Sequence, residues 1–471
     1  KHNKEYTMKK QGKFSGITPS VSRLERAGTE VIKMDVKQTP LHGTILQQNP
    51  MAGSSFPFLS IPGSFYGKPF PLNIGKDDLS RHTMLIGATG CGKTNVFCHM
   101  VSQIKKQMTE NDVMIIFDAK GDYYDLFASP NDLVIGSGRM FSSRTEKWNL
   151  FKEVIADGWD DKSTFLNVQE MTWSIFRDSI DNSKDPFFPN AARDLFAAIL
   201  LCMISEGKKD LSYRKQWLFN SELKRALDES TIFDIQKMIE SHPSQAAVLS
   251  YIGDPTSGQA LGVYAEMLST LRKILTGCFD DKGMFSMRSF VRRKGGRTLF
   301  IEYDLSLGNT LAPLYSLLFD LALKEALGRG KSQGNVYFIC DEFRLIPRLQ
   351  HMDDAVNLGR SLGVKVIAGL QSISQFEEAY GESRAKNLLA GFSSVFAFRA
   401  NDSCTRDYIV NLHGKNVILE QYRTLSNSIH EERFEAHVVE GWDLKELKVG
   451  EAVISFPFGK PFKYQFDLFR Q

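Results

Sequence analysis

The chain has 471 residues, of which 42% are hydrophobic and 24% are charged, so it is long enough for two or three globular domains with ample cores. This composition is ordinary for a globular protein, and the net charge of +3 is too small to indicate a nucleic-acid partner by itself. Six cysteines stand far apart without a C-x-x-C pair, which predicts buried, reduced thiols in a cytosolic compartment instead of disulfides or zinc ligands.

The N-terminal part of the chain is polar. Residues 1–58 are rich in Lys, Thr and Gln, Pro40 and Pro50 break any long element, and we predict that they form an irregular segment before the first domain. No run reaches the roughly 18 apolar residues that a membrane span needs. The nearest, residues 195–204, is predicted to be a buried helix. Because the chain begins with Lys1 instead of Met, we expect a soluble fragment from which an N-terminal region was removed.

A glycine-rich octapeptide follows a short apolar strand-like run at 83–86 and precedes a helical pattern at 95–106: Gly87-Ala88-Thr89-Gly90-Cys91-Gly92-Lys93-Thr94. In the pattern G-x-x-x-x-G-K-T the glycines let backbone N–H groups converge on phosphate oxygens, and the helix adds the positive end of its dipole. Lys93 is predicted to reach the β- and γ-phosphates, and Thr94 to hold Mg²⁺ through its hydroxyl. The segment therefore predicts binding of a nucleoside triphosphate with Mg²⁺. No guanine-reading N-K-x-D is present, which favours ATP.

The rest of the chain shows two kinds of hydrophobic pattern. Apolar runs at 113–117, 297–303, 335–340, 364–369 and 395–398 are typical of strands buried in a parallel sheet, and helical patterns, among them 352–362 and 374–389, separate several of them. Residues 148–289 instead show helical spacing throughout. We therefore predict a doubly wound, mostly parallel α/β domain in two parts, 59–147 and 290–471, interrupted by an all-α domain at 148–289.

Two of the predicted strands end in acidic residues, and a P-loop site needs an acid for the metal and the attacking water. The Asp341-Glu342 doublet supplies both roles, with Asp341 organising the Mg²⁺ shell and Glu342 polarising water as the general base. Asp118 ends the other strand but lacks an adjacent second acid. We therefore predict that Asp341 and Glu342 are the catalytic acids.

Two further residues are candidates for chemistry with the γ-phosphate. Gln371 follows the strand 364–369, at the edge where ligands of a parallel sheet gather, so its amide is placed to sense that phosphate. An ordinary loop glutamine is the alternative. Arg360 precedes the same strand and is a candidate arginine finger that reaches a neighbour's nucleotide, with an exposed surface arginine as the alternative.

Several segments together resemble the type IV coupling protein family, the TraD, TraG and TrwB-like ATPases of conjugation and type IV secretion. The resemblance covers most of residues 60–471. The most specific block is a strand ending in G-x-Q-S with a second Gln and a Tyr-Gly behind it. The matching segments are residues 85–94, 117–122, 148–151, 338–343, 358–375 and 380–381.

This resemblance implies a RecA-like P-loop NTPase with an inserted all-α domain. It further implies hexameric rings tethered to the bacterial inner membrane on its cytoplasmic side, which transport DNA, single-stranded with bound relaxase, or protein effectors into a type IV secretion channel. Family roles map onto Lys93, Thr94, Asp341, Glu342 and Gln371, and a trans-acting arginine onto Arg360. The membrane region of the family is not part of this sequence.

The distribution of charge suits this expectation. Residues 151–290 carry 16 Lys and Arg against 20 Asp and Glu, a net charge of −4, and the rest of the chain carries +7. A basic motor can grip a strand through its phosphates, and an acidic insert suits docking to a protein. A solvated acidic surface explains the insert equally well. Two functional alternatives remain open: a double-stranded DNA translocase of the FtsK or HerA kind, and a substrate receptor that uses nucleotide as a switch.

Overall fold

A computed structural model describes residues 37–48, 57–136, 143–303, 308–328, 334–346, 349–423 and 429–470. The strands of these ranges are β1 (Lys37–His42), β2 (Leu59–Ile61), β3 (Gly63–Phe65), β4 (Lys68–Pro69), β5 (Leu72–Ile74), β6 (Thr83–Ile86), β7 (Val113–Asp118), β8 (Leu133–Ile135), β9 (Arg297–Glu302), β10 (Val336–Cys340), β11 (Val364–Leu370), β12 (Ser394–Ala397), β13 (Lys415–Arg423), β14 (Ile429–His437), β15 (Glu451–Ser455) and β16 (Phe462–Phe466).

The α-helices of the same ranges connect and cover these strands. They are α1 (Lys76–Leu79), α2 (Lys93–Gln107), α3 (Asp122–Phe127), α4 (Leu150–Val154), α5 (Asp161–Asn182), α6 (Phe187–Lys209), α7 (Leu211–Trp217), α8 (Asn220–Glu229), α9 (Ile232–Glu240), α10 (Leu249–Ile252), α11 (Gly258–Ile274), α12 (Met287–Arg293), α13 (Gly308–Leu327), α14 (Met352–Asn357), α15 (Ile373–Tyr380), α16 (Glu382–Gly391), α17 (Ser403–His413) and α18 (Gly441–Glu446).

The main sheet has eleven strands in the order β4-β3-β16-β15-β12-β6-β11-β10-β7-β9-β8. The seven strands from β12 to β8 run parallel, and β15, β16, β3 and β4 add an antiparallel edge. Every residue of β7, β10 and β11 is buried, which explains their largely apolar sequences. The predicted α/β class with a mostly parallel sheet is confirmed.

The helical segment packs on one face of this sheet. Between β8 and β9, the described residues 143–296 form helices, 3-10 turns and loops, with two isolated bridges. Its apolar side chains share one core with that face of the sheet. Aromatic rings cross the boundary: Phe117 of β7 contacts Tyr303 at 5.2 Å, Tyr303 contacts Tyr315 of α13 at 5.2 Å, and Tyr315 contacts Phe279 at 6.0 Å between centroids. A second core, which includes α2, covers the other face.

Two buried asparagines join the beginning of the helical segment to its later parts. The Asn149 side chain donates to the carbonyls of Leu218 at 3.0 Å and Gly283 at 2.9 Å. The Asn220 side chain donates to Trp148 O at 2.9 Å and accepts a hydrogen bond from the N–H of Leu150 at 2.9 Å. A buried amide that loses such partners costs about 1–3 kcal/mol each, so these bonds explain why the 148–151 segment has a distinctive sequence.

Helix α6 is the one helix of the described ranges that is long and apolar enough to cross a membrane by length and composition. Of its most apolar 18-residue stretch, 67% is buried inside the protein, as in the core helix of a globular domain. The ten-residue run at 195–204 lies within it and is a buried helix as predicted.

Two local predictions were wrong. Residues 37–42 of the expected irregular segment form β1, which pairs with β13 in a separate antiparallel sheet, β1-β13-β14. Residues 1–36 of that segment lie outside the described residues. Pro40 is compatible with this strand because β1 is at the edge of that sheet. The helix expected at 374–389 is two helices, α15 and α16, since Gly381 adopts φ 81° between them.

Candidate active site

The glycine-rich loop links β6 to α2 at the carboxyl edge of the parallel strands. Gly87 N–H donates to Leu370 O of β11 at 3.1 Å, and Ala88 N–H donates to the carbonyl of Arg399 after β12 at 2.8 Å. Gly92 has a φ of 108°, and a Cβ there would lie 2.9 Å from the backbone nitrogen of Gly450. The loop is therefore held by both neighbouring strands in a conformation that requires glycine.

Lys93 is the first residue of α2, and its side chain turns back over the loop. It is buried, and its Nζ donates to Gly87 O at 2.6 Å and to Ala88 O at 3.3 Å. The first N–H groups of α2 have no partner within the helix, as at every helix N-terminus. A buried ammonium beside these donors makes the loop a strong anion site, with Thr89, Gly90 and Cys91 completing its turn.

Thr94 and Asp341 meet in space although 247 positions separate them in the sequence. Thr94 Oγ1 donates to Asp341 Oδ2 at 2.7 Å, and the phenol of Tyr123 donates to the same oxygen at 3.0 Å. Close packing of β11 on β10 brings Asp341 here, since a Cβ on Gly369 would lie 2.2 Å from Asp341 O. A hydroxyl and a carboxylate beside a phosphate loop match the oxygen ligands that Mg²⁺ takes in nucleotide sites, so these residues fit that ion.

Gln371 connects the loop to the second acid. Its Nε2 donates to Glu342 Oε2, and Thr89 Oγ1 donates to Gln371 Oε1 at 3.0 Å. The carboxyl ends of β10 and β11 are adjacent, which places both side chains beside the loop. The amide thus bridges a loop hydroxyl and a carboxylate.

The environment of Glu342 sets its basicity. Burial raises the pKa of Glu342 above its ordinary value, whereas the Arg344 guanidinium, the hydrogen bond from Gln371 and the charge of Lys93 act in the opposite direction. Arg344 Nε lies 3.4 Å from Glu342 Oε1. Arg344 also lines a cavity of about 540 Å³ between α5, α13 and α15, so this ion pair joins the acid to the boundary with the helical segment.

Replacement of Arg344 by alanine is expected to move the acidic limb of the pH–rate profile to higher pH. A general base acts only when ionised, and loss of the guanidinium removes the largest influence that lowers the pKa of Glu342. Phosphate release measured from pH 5 to 9 checks this. Arg177→Ala removes a charge from the same cavity wall, but this arginine pairs with Asp181 at 3.7 Å. An equal displacement in both variants would contradict a specific effect of Arg344.

Asp118, the acid that ends β7, accepts hydrogen bonds from backbone N–H groups. Its carboxylate accepts N–H bonds from Gly121 at 2.8 Å and from Tyr123 and Tyr124 at 3.0 Å each, with a longer bond from Lys120 at 3.3 Å. Burial raises its pKa, and these hydrogen bonds oppose that change. Asp118 therefore holds the beginning of α3 rather than facing the glycine-rich loop.

Arg360 lies at the amino ends of the parallel strands, whereas the other candidates lie at the carboxyl ends. It is exposed in a 3-10 turn before β11, whereas Gln371 follows the strand. Since β11 has seven residues at about 3.3 Å each, Arg360 and Gln371 are separated by roughly 20 Å. Within one chain, Arg360 therefore does not join Lys93, Thr94, Asp341, Glu342 and Gln371.

Three residues of this region were not predicted from the sequence: Tyr123, Arg344 and Arg399. Tyr123 lies just after the 117–122 segment, and Arg344 follows the acidic doublet by two positions, so proximity to a motif was the available signal. The Nε of Arg399 is buried and has no hydrogen-bond partner among the residues that the structure describes. Its carbonyl position beside Ala88 follows from the pairing of β12 with β6.

The chain is similar in sequence to known proteins. Residues 69–449 match the family model described as the type IV secretion-system coupling protein DNA-binding domain. The chain is 21% identical over 348 residues to the coupling protein TraD of Escherichia coli K12, which covers 71% of this chain. The chain spans 44% of the length of TraD.

Two solved structures of the plasmid coupling protein TrwB have a similar fold. The complex with the non-hydrolysable ATP analogue ADPNP has a TM-score of 0.68 at 20% identity, and the complex with ADP and Mg²⁺ has 0.66 at 21%. Each alignment covers 94% of this chain and 97% of the TrwB chain. The likeness extends over the parallel sheet and the helical segment together.

Proposed function

The chain belongs to the type IV secretion-system coupling proteins, and from this premise we propose that it is an ATPase that moves DNA or protein substrates into a type IV secretion channel. The observation that carries the proposal is the hydrogen-bonded chain from Thr89 through Gln371 to Glu342, next to the Thr94–Asp341 pair. A protein that only binds nucleotide has no need for a half-buried acid linked to its phosphate loop.

The residues divide the work of hydrolysis between them. The loop from Gly87 to Thr94 binds the triphosphate, and Lys93 offsets the charge that develops on it. Mg²⁺, held by Thr94 and Asp341, would neutralise charge on the β- and γ-phosphates. Glu342 accepts a proton from the attacking water, with Arg344 keeping the carboxylate ionised. Gln371 orients that water and transmits the state of the site to the loop.

ATP is the proposed nucleotide. The choice rests on the sequence, which has no guanine-reading N-K-x-D. TrwB, which has a similar fold, forms complexes with ADPNP, with ADP and Mg²⁺, and with the GTP analogue GDPNP. The proposed transport substrate is DNA, single-stranded and bound to relaxase, or an effector protein. The matching family model is described as a DNA-binding domain. The positive net charge outside residues 151–290 suits contacts to nucleic-acid phosphates.

The proposed assembly is a homo-hexamer at the cytoplasmic face of the bacterial inner membrane. Arg360 is remote from its own site but exposed, so it is available to complete the site of an adjacent copy. The net charge of −4 over residues 151–290 suits docking of a basic protein partner such as the relaxase complex or another accessory protein.

The rate of ATP hydrolysis per subunit is expected to rise with protein concentration, because neighbouring chains complete each other's sites. Single-stranded DNA is expected to stimulate this rate. Phosphate release with no DNA, single-stranded DNA or duplex DNA measures this. Stimulation by duplex alone would favour a double-stranded DNA translocase. Nucleotide binding without sustained turnover would favour a switch-like receptor.

Mixing of two inactive variants tests the role of Arg360. Arg360→Ala lacks the trans-acting group and Glu342→Gln lacks the base, so a mixed ring contains interfaces with both groups intact and is expected to recover part of the activity. Arg272→Ala, at an exposed arginine paired with Asp228 in the helical segment, is the control and is expected to be active alone. No recovery in mixed rings would contradict catalysis in trans.

A further inference from the structure

Tyr123 is a buried tyrosine that contacts the proposed metal-binding acid directly. It is 3% exposed, and its hydroxyl donates to Asp341 Oδ2 at 3.0 Å. Thr94 Oγ1 donates to the same oxygen at 2.7 Å. Both bonds use Oδ2, so together they fix the plane of the carboxylate without engaging its other oxygen.

The backbone around Tyr123 is held as firmly as its hydroxyl. Tyr123 is the second residue of α3, and its N–H donates to Asp118 Oδ2 at 3.0 Å. Gly121 and Tyr124 donate to the same carboxylate, at 2.8 and 3.0 Å. The phenol ring stacks on Phe127 with 6.5 Å between centroids. A side chain fixed at both ends can hold another group in place without losing much conformational entropy on each cycle.

Strand pairing explains how this contact arises. Strands β7 and β10 are adjacent and parallel, so the segment that follows Asp118 and the segment that follows Cys340 emerge side by side at the same edge. Asp118 accepts hydrogen bonds from the first turn of α3 there, and Tyr123 extends from that turn towards Asp341. Tyr123 therefore links Asp118, the last residue of β7, to Asp341, which follows β10.

We propose that Tyr123 is a positioning residue that orients Asp341 for the divalent cation of a bound metal–nucleotide complex. The inference rests on the proposed function, because it assigns the residue that prepares the same site. Among the donors that the described residues provide, Asp341 without Tyr123 keeps only the hydroxyl of Thr94, and that hydroxyl is itself a ligand of the cation in the proposed complex. Groups that orient metal ligands typically contribute about 10–100-fold to metal affinity or activity.

The test is Tyr123→Phe, which removes the hydroxyl and keeps the ring on Phe127. N-methylanthraniloyl ADP, a fluorescent nucleotide, is titrated in EDTA and then at increasing Mg²⁺. The metal-free affinity is expected to stay unchanged, while the Mg²⁺ concentration that gives half of the metal-dependent gain in affinity rises about 10-fold. The Mg²⁺ dependence of ATP hydrolysis is expected to move by the same factor.

Tyr464→Phe is the matched control. Tyr464 is also buried, and its hydroxyl bonds Ile61 O at 3.0 Å and Phe70 O at 2.7 Å, at the antiparallel edge of the sheet. Loss of its hydroxyl is expected to lower the thermal midpoint and leave the Mg²⁺ dependence unchanged. A folded Tyr123→Phe protein with the wild-type Mg²⁺ dependence would overturn the proposal and leave Tyr123 with a packing role.

A second variant keeps the proposal testable if Tyr123→Phe does not fold. Asp118→Asn retains Tyr123 but supplies only one accepting oxygen for the beginning of α3, so the Mg²⁺ midpoint is expected to rise by a smaller factor. An unchanged midpoint in that variant would count against the chain from Asp118 to Asp341. Mg²⁺-dependent binding without hydrolysis in the wild type would refute the ATPase and leave this inference intact. Wild-type ATP hydrolysis together with an unchanged Mg²⁺ midpoint in a folded Tyr123→Phe protein would refute the inference alone.

Discussion

Replacement of Lys93 by alanine is expected to abolish ATP hydrolysis while the protein stays folded. The ammonium is buried at the beginning of α2 and lies 2.6 Å from Gly87 O, so it is the one side-chain cation that the described structure places within the loop. Loss of one preorganised charge at a transition state costs about 100–1,000-fold in turnover. Alanine is a strong helix former, so α2 is expected to persist. Phosphate release and nucleotide titration measure the effect.

Lys106→Ala provides the control for this change. Lys106 is exposed near the other end of α2, so the same substitution in the same helix removes a cation without altering the loop. This variant is expected to hydrolyse ATP at close to the wild-type rate. Near-normal turnover in Lys93→Ala, with Lys106→Ala also active, would remove the basis for the assigned nucleotide site.

Replacement of Glu342 by glutamine is expected to stop turnover but to preserve nucleotide binding. Glutamine has the same size, and its amide oxygen can still accept from Gln371 Nε2, but it cannot accept a proton from water. General-base catalysis typically contributes about 100–10,000-fold, so the rate is expected to fall by that order. The fluorescent ADP analogue is expected to bind with wild-type affinity, in contrast to Lys93→Ala. Single-turnover phosphate release and equilibrium titration separate the two effects.

Glu378→Gln is the control for the acid. Glu378 is exposed on α15 and lines the cavity beside Arg344, so the substitution removes a carboxylate close to the site without touching the loop. It is expected to leave the rate within twofold of wild type. If Glu342→Gln kept more than a tenth of the wild-type rate, the base would have to be another group or the solvent.

Local sequence was sufficient where a structure depends on neighbouring residues. Strand β6, the glycine-rich turn and helix α2 are consecutive, so the composition of one segment predicted them together. The largely apolar runs of β7, β10 and β11 predicted buried parallel strands for the same reason. The carboxyl ends of such strands lie side by side, which makes Asp341 and Gln371 candidates from the sequence alone.

Non-local pairing was beyond the sequence. Strand β1 pairs with β13, which lies more than 370 positions later, and the polar sequence of β1 lacks a strong apolar signal. Pro40 argued against a strand, but at a sheet edge its missing N–H costs nothing. The α15–α16 junction was missed because the apolar spacing continues across Gly381, whereas the backbone there is left-handed.

The sequence alone determined the α/β class and predicted a phosphate-binding segment and a set of polar candidates at strand ends, because each depends on the order of neighbouring residues. Only the tertiary structure decided which candidates meet. It joined Thr94 to Asp341 across 247 positions and Tyr123 to Asp341 across 218, assigned Asp118 to the start of a helix, and put Arg360 at the far edge. The physical reason is that strand order sets these distances, and strand order is a property of the whole packed sheet.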